Sequence, residues 1–89
     1  MKFQEKPGHI FLTDDSGKML AEVTFPTSGD GVAVINHTFV DPSLRGQGVA
    51  DKLLSAAVKQ IRSNNLKARP TCSYAVQWFQ RHPEHADLL

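Results

Sequence analysis

Between Val40 and Val49 the spacing of apolar residues changes period, and this change limits the possible folds more than any other feature of the chain. Upstream, Val32-Ala33-Val34-Ile35-Asn36-His37-Thr38-Phe39-Val40 is rich in β-branched residues, as strands are. Successive strand side chains point to opposite faces, so Val32, Val34, Asn36, Thr38 and Val40 share one face, and Ala33, Ile35, His37 and Phe39 the other. Both faces are largely apolar, which predicts a central strand covered on both sides. Downstream, Val49, Leu53, Leu54, Ala57, Val58 and Ile61 form a stripe at helical spacing, with Asp51, Lys52, Lys59 and Arg62 outside it. A helix of about four turns is expected, at about 1.5 Å per residue.

The flanks supply the remaining elements. His9 to Thr13 is β-prone, Asp14-Asp15-Ser16-Gly17 is turn chemistry, and Lys18 to Phe25 continues extended until Pro26, which predicts a hairpin. Thr27 to Gly31 reads as a second turn. Asn64-Asn65 stop the long helix, Leu66 to Thr71 has room for one short strand, and Tyr74 to Arg81 forms a short helix that ends at His82-Pro83. Strand, helix and strand in that order imply a right-handed parallel crossover. The fold class is therefore α+β: antiparallel strands, then a β-α-β crossover with a parallel strand pair and a short C-terminal helix.

Size and charge narrow the functions. The 89 residues are expected to form one domain, 1–89, since halves would be too small to hold separate cores. A formal charge of +1 supplies no broad field, so neither nucleic acid nor an anionic membrane is an expected partner, and any anion must be gripped locally. Apolar runs reach only four residues, as at Val32 to Ile35, far below the roughly 20 of a membrane span. Cys72, the one cysteine, has no internal disulfide partner, and Met1 to Pro7 lacks the apolar stretch of a signal peptide, so the expected location is cytoplasmic.

The loop between the two periods carries the chemistry. Arg45-Gly46-Gln47-Gly48-Val49-Ala50 places two glycines at the onset of the helix. Glycine lets backbone approach a ligand, and the first helical N–H groups are unpaired at the positive end of the macrodipole, so this position suits a phosphate. The plain alternative is a glycine turn before a helix. No Gly-Lys-Ser/Thr follows, which excludes a P-loop, and the dinucleotide pattern G-x-G-x-x-G would need glycine at Asp51.

With Arg45, Gly48 and Ala50 the loop matches Q/R-x-x-G-x-G/A and resembles the pyrophosphate-binding motif of the GNAT acetyltransferases. Val40-Asp41-Pro42-Ser43-Leu44 is similar to the strand end and turn that lead into it. Ile35-Asn36-His37-Thr38, Cys72-Ser73-Tyr74 and Arg81-His82-Pro83-Glu84 resemble segments of a compact, single-domain branch of that family, so the resemblance covers most of the chain. It implies a minimal GNAT fold without the helices that larger members place between their first two strands. Thr13 to Lys18 leaves no room for them, and the acceptor side should be open.

The same resemblance implies acetyl-coenzyme A as cosubstrate. Its pyrophosphate would lie on the N–H groups of Arg45, Gly46, Gln47, Gly48, Val49 and Ala50. Its pantetheine arm would run beside the strand ending at Val40, with the thioester at the gap between that strand and the one ending near Thr71. In that arrangement a backbone N–H near Phe39 or Val40 polarises the thioester carbonyl. Cys72 and His37 match positions where the compact branch carries a cysteine suspected of catalysis and a histidine, and Tyr74 lies in the region where many GNAT enzymes place a tyrosine that reprotonates the thiolate. Two mechanisms fit: direct attack by an amine, with His37 or a water it orders taking the proton, or an acyl-enzyme on Cys72 activated by His37. Direct transfer is the expectation. Bland roles stand beside these: Cys72 as a small inert hydrophobe, His37 as a satisfied core histidine, Tyr74 as a packing residue. Glu22 is a weak carboxylate candidate, and Trp78 and Phe79 are read as core.

His82-Pro83-Glu84-His85 lacks the i, i+4 spacing of a helical metal pair and no cysteine pair supports it, so no metal is expected. The leading function is an acetyl-coenzyme A-dependent acyltransferase acting on an amine, protein or peptide amines suiting an open site. The alternatives are a non-catalytic module that binds coenzyme A or acetyl-coenzyme A, and an unrelated interaction domain. A monomer or weak dimer is expected.

Overall fold

A computed structural model describes residues 2–89; Met1, which opens the N-terminal stretch, lies outside the described residues. The chain runs β1 (Gln4–Lys6), β2 (His9–Thr13), β3 (Met19–Thr24), β4 (Thr27–Ser28), β5 (Val32–Ile35), β6 (His37–Val40), α1 (Val49–Ser63), β7 (Lys67–Pro70) and α2 (Ser73–Arg81), with 3-10 turns over Pro42–Leu44 and Pro83–Leu88. One sheet has the order β1-β2-β3-β6 and is antiparallel throughout; the other, β4-β5-β7, joins β5 to β7 in parallel. The α+β expectation, with antiparallel strands, one crossover and a short C-terminal helix, holds.

Local chemistry sets the turns. Asp14 Oδ1 accepts hydrogen bonds from the Ser16 N–H and hydroxyl and from the Lys18 N–H, closing the β2–β3 hairpin. The long helix stops where Asn65 takes φ 57°, a left-handed conformation that asparagine tolerates. Its buried stripe is Val49, Leu53, Leu54, Ala57, Val58 and Ile61, as the spacing predicts. That stripe covers Ile10, Ala21 and Val23 of the first sheet and Ala33 and Ile35 of the second, with Trp78 and Phe79 of α2 and Leu88 completing the core. Gln60 reaches from α1 to the β1–β2 turn, accepting from the Gly8 N–H at 2.9 Å and donating to the Lys6 carbonyl at 3.2 Å.

The run Val32 to Val40 departs from expectation. It is two strands in two sheets, divided at Asn36. The Asn36 N–H donates to the Thr24 carbonyl at 3.2 Å, and its side-chain Oδ1 accepts the Thr24 hydroxyl at 2.5 Å, so Asn36 makes the corner between the sheets. The alternation changes phase there: Ala33 and Ile35 are buried, whereas His37 and Phe39 are exposed. The outer face of β6 is therefore open, and coverage on both sides does not hold for this half. Two further pieces have no apolar pattern to announce them. Gln4–Lys6 adds an edge strand, and Thr27–Ser28, within the expected turn, pairs with Val32 and Ala33. Among the described residues no helix is long and apolar enough to cross a membrane.

Candidate functional site

The approach to the glycine loop is built by Asp41. Its Oδ2 accepts from the Ser43 N–H at 3.0 Å and the Ser43 hydroxyl at 2.6 Å, and Lys18 Nζ lies 3.6 Å from Oδ1. The Ser43 hydrogen bonds, helped by Lys18, hold the Asp41 carboxyl below its ordinary 3.8. The resulting turn consumes the Arg45 N–H on the Pro42 carbonyl and the Gln47 N–H on the Leu44 carbonyl, at 3.3 and 3.4 Å. Those two groups are thus spoken for inside the loop.

The others are free. Gly46 and Gly48 adopt φ 82° and 71°, which only glycine accepts without strain, and a Cβ at either would meet nothing within 4 Å. Backbone conformation, rather than lack of room, requires glycine here, and the outer side of the loop is open. Gly48 caps α1 with no side chain bonded to the cap, and the first helical bond runs from the Lys52 N–H to the Gly48 carbonyl. Among the described residues no side chain or carbonyl takes the N–H groups of Gly46, Gly48, Val49 or Ala50. They border a cleft of about 250 Å³ that also includes Val40, Leu44, Arg45, Asp51 and Tyr74.

The end of β6 opens into the same cleft. The register pairs Glu22 with Phe39 and Ala21 with Val40, and the Asp41 N–H donates to the Leu20 carbonyl at 2.7 Å. Hydrogen-bonded and non-bonded positions alternate along an antiparallel ladder, so Phe39 and Asp41 face β3 while Thr38 and Val40 turn their N–H and C=O groups the other way. On that side β7 has already left. Parallel pairing ends at Ile35 with Pro70, and the Thr71 and Cys72 N–H groups both close on the Ile35 carbonyl. Beyond this point that edge of β6 has no strand partner, which leaves a gap between β6 and the end of β7. Of the two oxyanion donors expected, the geometry directs Val40, not Phe39, into the gap.

Cys72 sits at the closed end of the gap, where its Sγ lies 3.4 Å from Thr38 Oγ1. His37 does not meet it. Neighbouring strand residues point to opposite faces, and His37 Nε2 lies 3.4 Å from Glu22 Oε1 on the outer face. The His37–Cys72 pair raised by the sequence is therefore not formed; Thr38 takes the thiol, and Glu22 holds the imidazole. Tyr74 lines the cleft with the Arg81 guanidinium 5.7 Å from its ring centre. Burial pushes its phenol above the ordinary 10.0, against the opposing pull of Arg81, so it keeps its proton at neutral pH.

One residue at the site escaped the sequence. Asp51, in the first turn of α1, accepts from Trp78 Nε1 at 2.7 Å, and His82 Nε2 lies 3.2 Å from the same oxygen. An acid in a first turn reads as ordinary helix-dipole chemistry, so nothing pointed to the link with α2. His82 stacks on Trp78 with centroids 4.2 Å apart, and its Nδ1 meets Glu84 at 3.0 Å, while His85 meets Arg62. Glu22, the weak carboxylate candidate, lies 2.7 Å from His9 Nε2 and 3.4 Å from His37 Nε2.

This constellation of splayed strands, glycine loop and helix N-terminus defines a class. The model of the GCN5-related N-acetyl-transferase family matches residues 9–88, and the chain belongs to that family. A solution structure of a GCN5-like protein from Staphylococcus aureus superposes with a TM-score of 0.81 at 33% identity, covering 98% of this chain and 85% of that one. Protein NATD1 of Gallus gallus and of Mus musculus are each 33% identical over 55 residues, 62% of this chain and 50% of theirs. The chain spans about half the length of these curated relatives. N-acetylglutamate synthase from Neisseria gonorrhoeae, complexed with coenzyme A and N-acetyl-glutamate, shares the fold at a TM-score of 0.68 and 17% identity, over 84% of this chain and 18% of that one.

Proposed function

We propose that this chain is an acetyltransferase that uses acetyl-coenzyme A to acetylate an amine. One observation carries the reading: the free N–H groups of Gly46, Gly48, Val49 and Ala50 open into the same cleft as the unpaired edge of β6. The residues fit the cosubstrate. The N–H groups and the positive helix end suit a pyrophosphate, Arg45 adds a cation at the rim, and the bare edge at Thr38 and Val40 can pair with the amide groups of a pantetheine arm as a strand would.

In the reaction the amine nitrogen bonds to the thioester carbonyl carbon and the carbon–sulfur bond breaks. The Val40 N–H stabilises the charge that develops on oxygen. Tyr74 gives its proton to the departing thiolate, and the surplus proton of the amine goes to His37, directly or through a water, with Glu22 orienting the imidazole. Direct attack is favoured over an acyl-Cys72 relay because Thr38, which cannot act as a base, is the side chain on the thiol. The chain acts as one domain.

The test uses Ala50→Glu. A carboxylate in the first helical turn favours the helix, by roughly 0.3–1 kcal/mol, yet stands where a diphosphate would lie. The melting temperature should hold or rise while acetyl-coenzyme A affinity, measured by calorimetry, falls at least tenfold; unchanged affinity would remove the cradle. Gly48→Val is a poorer probe than its open surroundings suggest, because the left-handed backbone at Gly48 would itself be strained. Thiol release above background with a panel of amines separates the enzyme from a module that only binds coenzyme A.

A further inference from the structure

Arg81 ends α2, yet its side chain does not stay at the negative end of the helix, where a last-turn cation ordinarily serves. It runs back along the helix, in the direction helical side chains tilt, and sets its guanidinium 5.7 Å from the centre of the Tyr74 ring. Positions 74 and 81 lie about 10.5 Å apart along the axis, at ~1.5 Å per residue, so the side chain spans much of two turns. The cation is otherwise unspent. Arg62, in the last turn of α1, is locked by Asp87 at 2.7 Å, whereas among the described residues no carboxylate pairs with Arg81. Two other charged side chains line the cleft with Tyr74: Arg45 of the loop and Asp51 of α1, the latter tied to Trp78 and His82. Burial holds the phenol above its ordinary 10.0; Arg81 opposes this with its charge and its N–H groups, and Asp51 adds to it.

We infer that Arg81 is a positioning residue for acetyl transfer: it steadies the Tyr74 ring in the cleft and stabilises the phenolate left when Tyr74 has protonated the departing thiolate. The inference deepens the acetyl-transfer reading and rests on it. In this step the Tyr74 O–H bond breaks as an S–H bond forms on coenzyme A, and the phenolate takes a replacement proton from water in the open cleft. A half-buried phenol gives up its proton poorly, because the charge it is left with has lost solvent. A guanidinium keeps its own charge at any working pH and stands readily over an aromatic face, so it compensates the phenolate without competing for the proton. Arg81 acts through Tyr74 and touches neither the thioester nor the amine in this reading.

Tyr74 is the one tyrosine of the chain, so the near-ultraviolet absorbance of phenolate reports this group alone. The experiment follows that absorbance through an alkaline titration of the wild type, Arg81→Gln and Arg81→Lys. It also measures single-turnover thiol release from acetyl-coenzyme A with the best amine of the panel. Arg81→Gln should raise the phenolate midpoint by about 0.5 to 1 pH unit and slow release about three- to ten-fold, with acetyl-coenzyme A affinity unchanged. Arg81→Lys, which restores the charge, should bring both at least half-way back. An unfolded variant would show the lower midpoint of an exposed phenol, so misfolding cannot imitate the expected rise. An unchanged midpoint in Arg81→Gln overturns the inference, as does a raised midpoint with release at the wild-type rate. Wild-type release from Tyr74→Phe removes the acid assignment and the inference together, while acetyl transfer stands. Wild-type protein that binds acetyl-coenzyme A yet releases no thiol with any amine sinks the transfer reading itself, whatever the midpoint of Arg81→Gln.

Discussion

Strands β5 and β6 are two halves of one β-branched run, yet the structure uses them in opposite ways. Val32–Ile35 is paired on both edges, with β4 and β7, and buries Ala33 and Ile35 completely. His37–Val40 pairs only with β3, leaves its other edge unpaired and exposes His37 and Phe39. The first half has a partner strand on each side; the second leaves the outward backbone groups of Thr38 and Val40 without one. The difference comes from where the partner strand departs. The Thr71 and Cys72 N–H groups converge on the Ile35 carbonyl, and no β7 residue follows the chain past Asn36.

The contrast predicts separable effects. Ile35→Ala removes a fully buried side chain and should cost about 4 kcal/mol, lowering the melting temperature by roughly 15 °C or more, as thermal unfolding followed by circular dichroism will show. Acetyl-coenzyme A affinity, measured well below the new transition, should stay within a few-fold. Val40→Pro attacks the other half. An edge strand tolerates proline where the lost N–H faces away from its partner, so the fold should survive while kcat falls about 100-fold. If melting collapses instead and kcat per folded molecule is kept, the Val40 N–H faces β3 and the comparison breaks. Cys72→Ala should do least: kcat within two-fold, a few degrees or less in melting temperature, and no acetylated wild-type protein by mass spectrometry. Near-complete loss of turnover would restore the acyl-enzyme route.

Much of the architecture was legible because its signals are local. The stripe from Val49 to Ile61, the turn chemistry of Asp14 to Gly17, the stop at Asn64-Asn65 and the glycines at Gly46 and Gly48 each act through residues a few positions apart. The division at Asn36 was not legible, because β-branched residues continue on both sides and the corner depends on Thr24, in another strand. Pairing His37 with Cys72 failed for a related reason. Parity along β6 placed His37 and Thr38 on opposite faces, but which face met α2 depended on packing.

The sequence by itself determined the order of elements, the long helix and the glycine loop at its start, since periodicity and the left-handed backbone are properties of short segments. Only the tertiary structure decided that Glu22 would stand between His9 and His37, flanked by Phe11 and Phe39, and that Asp51 would lock to Trp78. Those groupings join residues far apart in the chain, and strand register, which brings them together, is set by the burial of a whole core.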